Sequence, residues 1–123
     1  MNQYYKYQQF DNDCQKIVKW VKKNKLKFRN VYGLPRGGLV LAVKLSHLLD
    51  IPLLIHRVAV NQNTLVVDDI SDTGDTLQLL KDTNRAFKKC KVVTLFIHKN
   101  TKVMPDFFCR EKKDKWIHYF WEK

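Results

Sequence analysis

Two short stretches hold the residues able to do chemistry. In "LVVDDISDTGDT" (65–76) an apolar run meets the adjacent carboxylates Asp68 and Asp69, and Asp72, Thr73, Gly74, Asp75 and Thr76 follow at once. Adjacent like charges at the end of a buried strand repel unless a cation or hydrogen-bond donors compensate them. A hydrated Mg²⁺ and sugar hydroxyls are natural compensators. Thr73, Gly74 and Thr76 fall where a helix begins, so their N–H groups and hydroxyls can cradle a monophosphate. Asp72 sits between the two ends, placed for proton transfer or hydrogen bonding at whatever the sugar carries. A plain helix N-cap on Asp72 or Thr73 is the simpler reading, but it leaves Asp68 and Asp69 unexplained.

The second stretch is "GLPRGGL" (33–39), which joins a strand to a helix. Gly37 and Gly38 remove side chains where the backbone turns or is closely approached. The following helix offers unpaired N–H groups, and Arg36 adds a forked cation. Together these make an anion site; alone, the loop reads equally as a turn with a surface arginine. It is neither a Walker A loop nor a GxGxxG turn.

The elements that position these loops follow from periodicity. Phe10, Cys14, Ile17, Val18 and Val21 form one stripe of a helix over 10–24. Residues 28–33 read as a short strand, 39–49 as a helix packed on a sheet, and 51–58 and 64–68 as strands. Residues 74–88 carry helical spacing, and 91–98 reads as another strand. The tail is irregular until "KWIHYFWEK" (115–123). Strands interleaved with helices predict an α/β fold with a mainly parallel central sheet flanked by helices. Ligands of such sheets bind beyond the carboxyl ends of the strands, where both loops lie.

The 123 residues make one ordinary domain, and 45% hydrophobic content supplies a core. No apolar run approaches the ~20 residues that span a bilayer. Neither a signal-peptide core nor a Cys pair at ligand spacing is present. Three scattered cysteines (Cys14, Cys90, Cys109) fit a reducing, cytoplasmic setting. The net charge of +11 favours anionic partners or simply a soluble lysine-rich surface.

"LVVDDISDTGDT" resembles the phosphoribosyl-pyrophosphate (PRPP) signature of type I phosphoribosyltransferases. "YGLPRGGLVLAVKLSHLLDIPLL" resembles their pyrophosphate loop with its helix. "KWIHYFWEK" looks like the C-terminal purine segment of the xanthine–guanine members. The likeness spans about residues 27–123 and implies a single domain over 1–123, with a core at about 10–98 and a small hood segment at about 99–123. It implies Mg²⁺ as cofactor, PRPP and a purine base as partners, a homodimer or larger oligomer, and no membrane partner.

Residue by residue, the resemblance implies that Asp68 and Asp69 bind the ribose hydroxyls, directly or through Mg²⁺. Asp72 would face N7 of the purine as its acid/base partner. Thr73, Gly74, Asp75 and Thr76 would form the 5′-phosphate loop. Arg36, Gly37 and Gly38 would meet pyrophosphate, with a cis peptide between Pro35 and Arg36. Trp116 would stack on the base and the Ile117 backbone would read its edge.

Two departures from the family pattern stand out. Relatives carry a lysine that contacts the purine's exocyclic oxygen; aligned on Pro105-Asp106, that position is His98, with Lys99 next. His98 is therefore a base-binding candidate or a strand-end residue facing solvent. Relatives also close a long mobile loop over PRPP, where this chain has little beyond "AVNQNT" (59–64). Trp116, Tyr119, Phe120 and Trp121 could equally pack the core or a subunit contact, and Trp20 reads as packing. The competing class is a non-catalytic PRPP- or nucleotide-binding regulator of the same fold that also binds nucleic acid, although no separate nucleic-acid-binding domain is present.

Overall fold

The alternation of apolar strands and amphipathic helices resolves into a covered parallel sheet. In the computed structural model, which describes residues 2–122, the chain runs β1 (Asn2–Tyr5), α1 (Tyr7–Lys23), β2 (Asn30–Gly33), α2 (Leu39–Leu49), β3 (Leu53–Leu54), a 3-10 turn (Arg57–Ala59), β4 (Thr64–Ser71), α3 (Asp75–Thr83), α4 (Arg85–Lys89), β5 (Lys91–Ile97), β6 (Phe107–Glu111) and β7 (Trp116–Tyr119). Five strands form one sheet in the order β3-β2-β4-β5-β6, and every neighbouring pair is parallel. This is the α/β class expected from the sequence.

Successive strand residues face opposite ways, so β4 feeds two cores. Leu65 and Val67 pack with Phe10, Ile17 and Leu41 of α1 and α2. Val66 packs with Leu77, Leu80 and Phe87 of α3 and α4. Because β3 and β4 flank β2 on opposite sides, the chain leaves β2 and β4 in diverging directions. The crevice at their carboxyl ends is the topological switch point of the sheet.

Four elements differ from the sequence reading. The strand expected over 51–58 pairs only at Leu53–Leu54, and Ile55 and Val58 beyond it are 80% and 93% exposed, with no face to bury. The strand expected over 64–68 continues through Ser71, because residues 68–71 still pair with β5. The helix expected over 74–88 breaks at Asn84, whose extended backbone and side-chain acceptor for Ala86 N start a new helix. Phe107–Glu111 is a fifth sheet strand with a mixed burial pattern, so the main sheet reaches past the expected boundary at 98. The small separate layer is β1 paired with β7, in register from Asn2↔Trp116 to Tyr5↔Tyr119.

A buried polar knot fastens that layer to the core. Tyr5 OH donates to Asp13 Oδ2 at 2.6 Å, and Arg110 Nε donates to the same oxygen at 2.7 Å. Asp13 is fully buried. Around the knot, Tyr119 stacks on Trp121 at 4.7 Å and Tyr5 meets Phe96 edge-on at 5.0 Å. Tyr119 and Trp121 are therefore packing residues, as is Trp20, which stacks on Phe107 at 5.2 Å. Among the described residues, no helix is long and apolar enough to cross a membrane.

Candidate active site

The extension of β4 carries the two carboxylates into the crevice. Asp68 Oδ1 accepts from Asp69 N at 2.8 Å and Asp69 Oδ1 from Ile70 N at 2.8 Å. The two carboxyl groups also contact each other, and among the described residues no cation pairs with either group. Burial, then the neighbouring Asp69 charge, pushes Asp68 up to about 8. Burial raises Asp69 as well. Two adjacent carboxyl groups without a compensating cation, one of which gives up a proton on binding, fit Mg²⁺ or a sugar diol. Among the described residues no cluster of three or more His, Cys, Asp or Glu side chains forms a complete metal cage. A cation here would take its other ligands from substrate oxygens and water.

Beyond the pair, the chain turns sharply into α3. Gly74 has φ 87°, and a Cβ there would lie 2.7 Å from both Thr101 Oγ1 and Val103 N. Conformation and space both require glycine. The segment behind it is anchored: Lys102 N donates to Thr73 O at 2.9 Å, and Ser71 Oγ to Val103 O at 2.8 Å. Among the described residues the amides of Thr73 and Gly74 have no acceptor, and Thr76 lies in the first turn of α3, where N–H groups lack intrahelical partners. Residues 68–77 line a cleft of about 220 Å³.

The first loop closes the other side. Leu34 N donates to Val67 O at 3.0 Å, tying the loop to β4. The Pro35–Arg36 peptide is cis. Gly37 lies directly against the Asp69 carboxylate, so the two loops touch. The Arg36 side chain is exposed, and among the described residues neither it nor the amides of Arg36 and Gly37 has a hydrogen-bond partner. Of this loop, Gly37 thus reaches the carboxylate cleft, with Arg36 and Gly38 on either side of it in the chain.

A second cleft of about 180 Å³ adjoins the first and shares Asp69, Ile70 and Asp72 with it. Its other walls include Lys112, Trp116, Ile117 and Tyr119. Trp116 is 67% exposed, which leaves a ring face open to a ligand. Ile117 is buried. Lys112 Nζ stands 3.2 Å from Asp72 Oδ2. His98 lines a neighbouring groove with Asp72, Lys112 and Trp116. Its Nδ1 accepts from Asn100 N at 3.1 Å, and its Nε2 is 3.8 Å from Asp114. Lys112, absent from the sequence-based set, belongs to both spaces. It follows β6, and that strand's mixed pattern hid both the element and the residue it positions.

No family model matches the chain. The xanthine-guanine phosphoribosyltransferase of Idiomarina loihiensis aligns over 120 residues at 28% identity, covering 78% of this chain and 72% of its own. Among solved structures, a purine phosphoribosyltransferase from Pyrococcus horikoshii superposes with TM-score 0.82 at 28% identity, covering 99% of this chain and 94% of its own. In sequence and fold the chain is similar to purine phosphoribosyltransferases, which supports its resemblance to the type I phosphoribosyltransferases. The xanthine-guanine-hypoxanthine phosphoribosyltransferase of Helicobacter pylori superposes with TM-score 0.76 at 26% identity, over 99% of this chain and 94% of its own. The likeness to these purine phosphoribosyltransferase structures runs along nearly the whole chain. The crevice at the carboxyl ends of β2 and β4 adjoins the cleft walled by β7.

Proposed function

We propose that this protein transfers the 5-phosphoribosyl group of PRPP to guanine, xanthine or hypoxanthine, releasing pyrophosphate and a nucleoside 5′-monophosphate. The observation that carries this reading is Asp72, which with Asp69 lines both the carboxylate cleft and the Trp116 cleft and alone of the two also borders the His98 groove.

In this reading Asp68 and Asp69 hold the ribose diol, and the amides of residues 73–76 hold the 5′-phosphate. Arg36 and the amides of Arg36 and Gly37 meet the pyrophosphate. Trp116 stacks on the base, and Lys112 donates to its exocyclic oxygen. The bond from C1′ to pyrophosphate breaks with its electron pair leaving on the phosphate, and a bond from N9 to C1′ forms. Asp72 takes or shares the N7 proton as N9 bonds to the sugar. Holding both reactants in line removes much of the entropic barrier. Mg²⁺, when bound, supplies positive charge to the departing pyrophosphate.

A role in purine salvage in the cytoplasm, as a homodimer or larger oligomer, belongs to the same proposal. The free thiols Cys14, Cys90 and Cys109 fit a reducing compartment. The connector between β3 and β4 spans only residues 55–63 and leaves little chain to cover PRPP.

The test is pyrophosphate release from PRPP with Mg²⁺ and guanine, hypoxanthine, xanthine, adenine or uracil. Release with at least one of the first three is expected, together with measurable base-free hydrolysis of PRPP through the short connector. No release with any base would refute the enzymatic reading.

A further inference from the structure

The phosphate loop of this chain contains a carboxylate. Asp75 is the first residue of α3, immediately after Gly74, and is 65% exposed in its side chain. A carboxylate suits the positive end of a helix dipole when nothing else is bound there. It opposes a second anion at the same end, because two like charges within a few ångströms repel. A loop that is to hold a sugar phosphate therefore needs the Asp75 charge offset.

The structure supplies that offset from another part of the chain. Lys102 Nζ lies 2.6 Å from Asp75 Oδ1. The contact is fixed at both ends. Lys102 N donates to Thr73 O at 2.9 Å, so the lysine backbone is stitched to the phosphate loop. Thr101 and Val103, on either side, press against Gly74 and bond to Ser71. The ammonium group lowers the Asp75 carboxyl through a hydrogen bond and its charge, so the acid is ionised and paired. An exposed ion pair of this kind adds little to stability, which leaves electrostatics at the loop as its main effect.

We propose that Lys102 is a positioning residue for the sugar 5′-phosphate, acting by neutralising Asp75 so that the 73–76 loop can accept a dianion. The inference rests on the PRPP reading above. The two fail differently. Ribose 5-phosphate carries the relevant phosphate without pyrophosphate or base, so its binding isolates this loop.

The experiment measures ribose 5-phosphate binding by calorimetry, and KM for PRPP and kcat, for the intact protein and for Lys102→Ala, Lys102→Arg, Asp75→Asn and Lys102→Ala/Asp75→Asn. Removing the ammonium group exposes an anion–dianion repulsion in the same loop, so Lys102→Ala should weaken ribose 5-phosphate by about tenfold. The loss should fall on KM for PRPP rather than on kcat. Lys102→Arg should retain binding. The double variant should return to within about threefold of the parent, since the charge needing compensation is gone. Unchanged binding in Lys102→Ala would overturn the inference. So would a double variant as weak as Lys102→Ala, which would assign Lys102 a direct grip on phosphate instead. A parent protein that binds neither ribose 5-phosphate nor PRPP would sink the functional reading, and this inference with it. Melting curves of all variants should coincide, because the pair is exposed.

Discussion

Lys112 Nζ and Asp72 Oδ2 stand 3.2 Å apart at the junction of the two clefts, with the lysine side chain only 18% exposed. The pair brings a donor and an acceptor to the same edge, as a 6-oxopurine presents O6 beside N7. Asp72→Asn keeps the shape and removes the proton acceptor. It should lower kcat by roughly 10²–10⁴-fold while PRPP still binds. Lys112→Met should instead raise KM for the base by about tenfold or more and leave PRPP affinity intact. Steady-state kinetics in both substrates separates the two outcomes; equal kcat in Asp72→Asn removes that residue from catalysis.

The buried carboxylate pair predicts two opposite pH slopes. Asp68 keeps its proton up to about 8 in the free protein, because of burial and then Asp69. Binding a cation or diol requires the carboxylate, so binding expels the proton. Affinity for PRPP with Mg²⁺ should rise between pH 6 and 8, by up to about tenfold per unit, and level off above. Stability of the free protein runs the other way. The folded value lies above the unfolded value of about 3.9. The contribution is complete below pH 4 and is lost as pH rises through about 8. Asp68→Asn should flatten the stability slope. Calorimetry in buffers of different ionisation enthalpy and melting curves against pH check the two halves.

Two adjacent glycines should fail in different ways. A Cβ on Gly37 would lie 2.6 Å from Asp69 Cγ, the end of a side chain that can swing away. A Cβ on Gly38 would lie 2.6 Å from Val67 O and 2.8 Å from Leu34 N, both fixed backbone atoms. Gly37→Ala should therefore weaken PRPP binding with little change in melting temperature. Gly38→Ala should destabilise the fold by about 2 kcal/mol. Denaturant unfolding alongside PRPP titration distinguishes a displaced carboxylate from a displaced backbone.

The knot at Asp13 should rank its partners. Tyr5→Phe removes one of two donors to Asp13 Oδ2 and should cost about 1–2 kcal/mol. Arg110→Leu removes the nearer of two cations beside a fully buried carboxylate, leaving the half-exposed Lys16 at 3.5 Å from Oδ1, and should cost about 3 kcal/mol or more. Urea midpoints in that order support the knot as the fastening of the β1/β7 layer; the reverse order would refute it.

Much of the molecule was legible because local and tertiary demands agree. The apolar stripe Phe10–Cys14–Ile17–Val21 reads as a helix and buries that face, and the β4 run Leu65–Val67 reads as a strand and is covered on both sides. The acidic run, the glycine pair and the cis peptide were found where their residue types and the resemblance put them. What escaped depended on partners distant in sequence. Asn2–Tyr5 has no strand pattern of its own and is extended because Trp116–Tyr119 lies beside it. Phe107–Glu111 mixes apolar and charged residues, so its period is hidden until β5 pairs with it. Lys112 and Lys102 were hidden with them: one follows that strand, and the other reaches Asp75 across a turn that spacing does not reveal.

The pairing of β1 with β7 sets an order of assembly. Joining residues 2–5 to 116–119 closes a loop of more than a hundred residues, an entropic charge that neighbouring contacts along the chain do not face. The ribbon bearing Trp116 should be the last piece to dock during refolding and the first to breathe in native-state hydrogen exchange. The carboxylate cleft would then stay rigid while the Trp116 wall opens and shuts, a division of labour suited, in the proposed reaction, to admitting one reactant after the other.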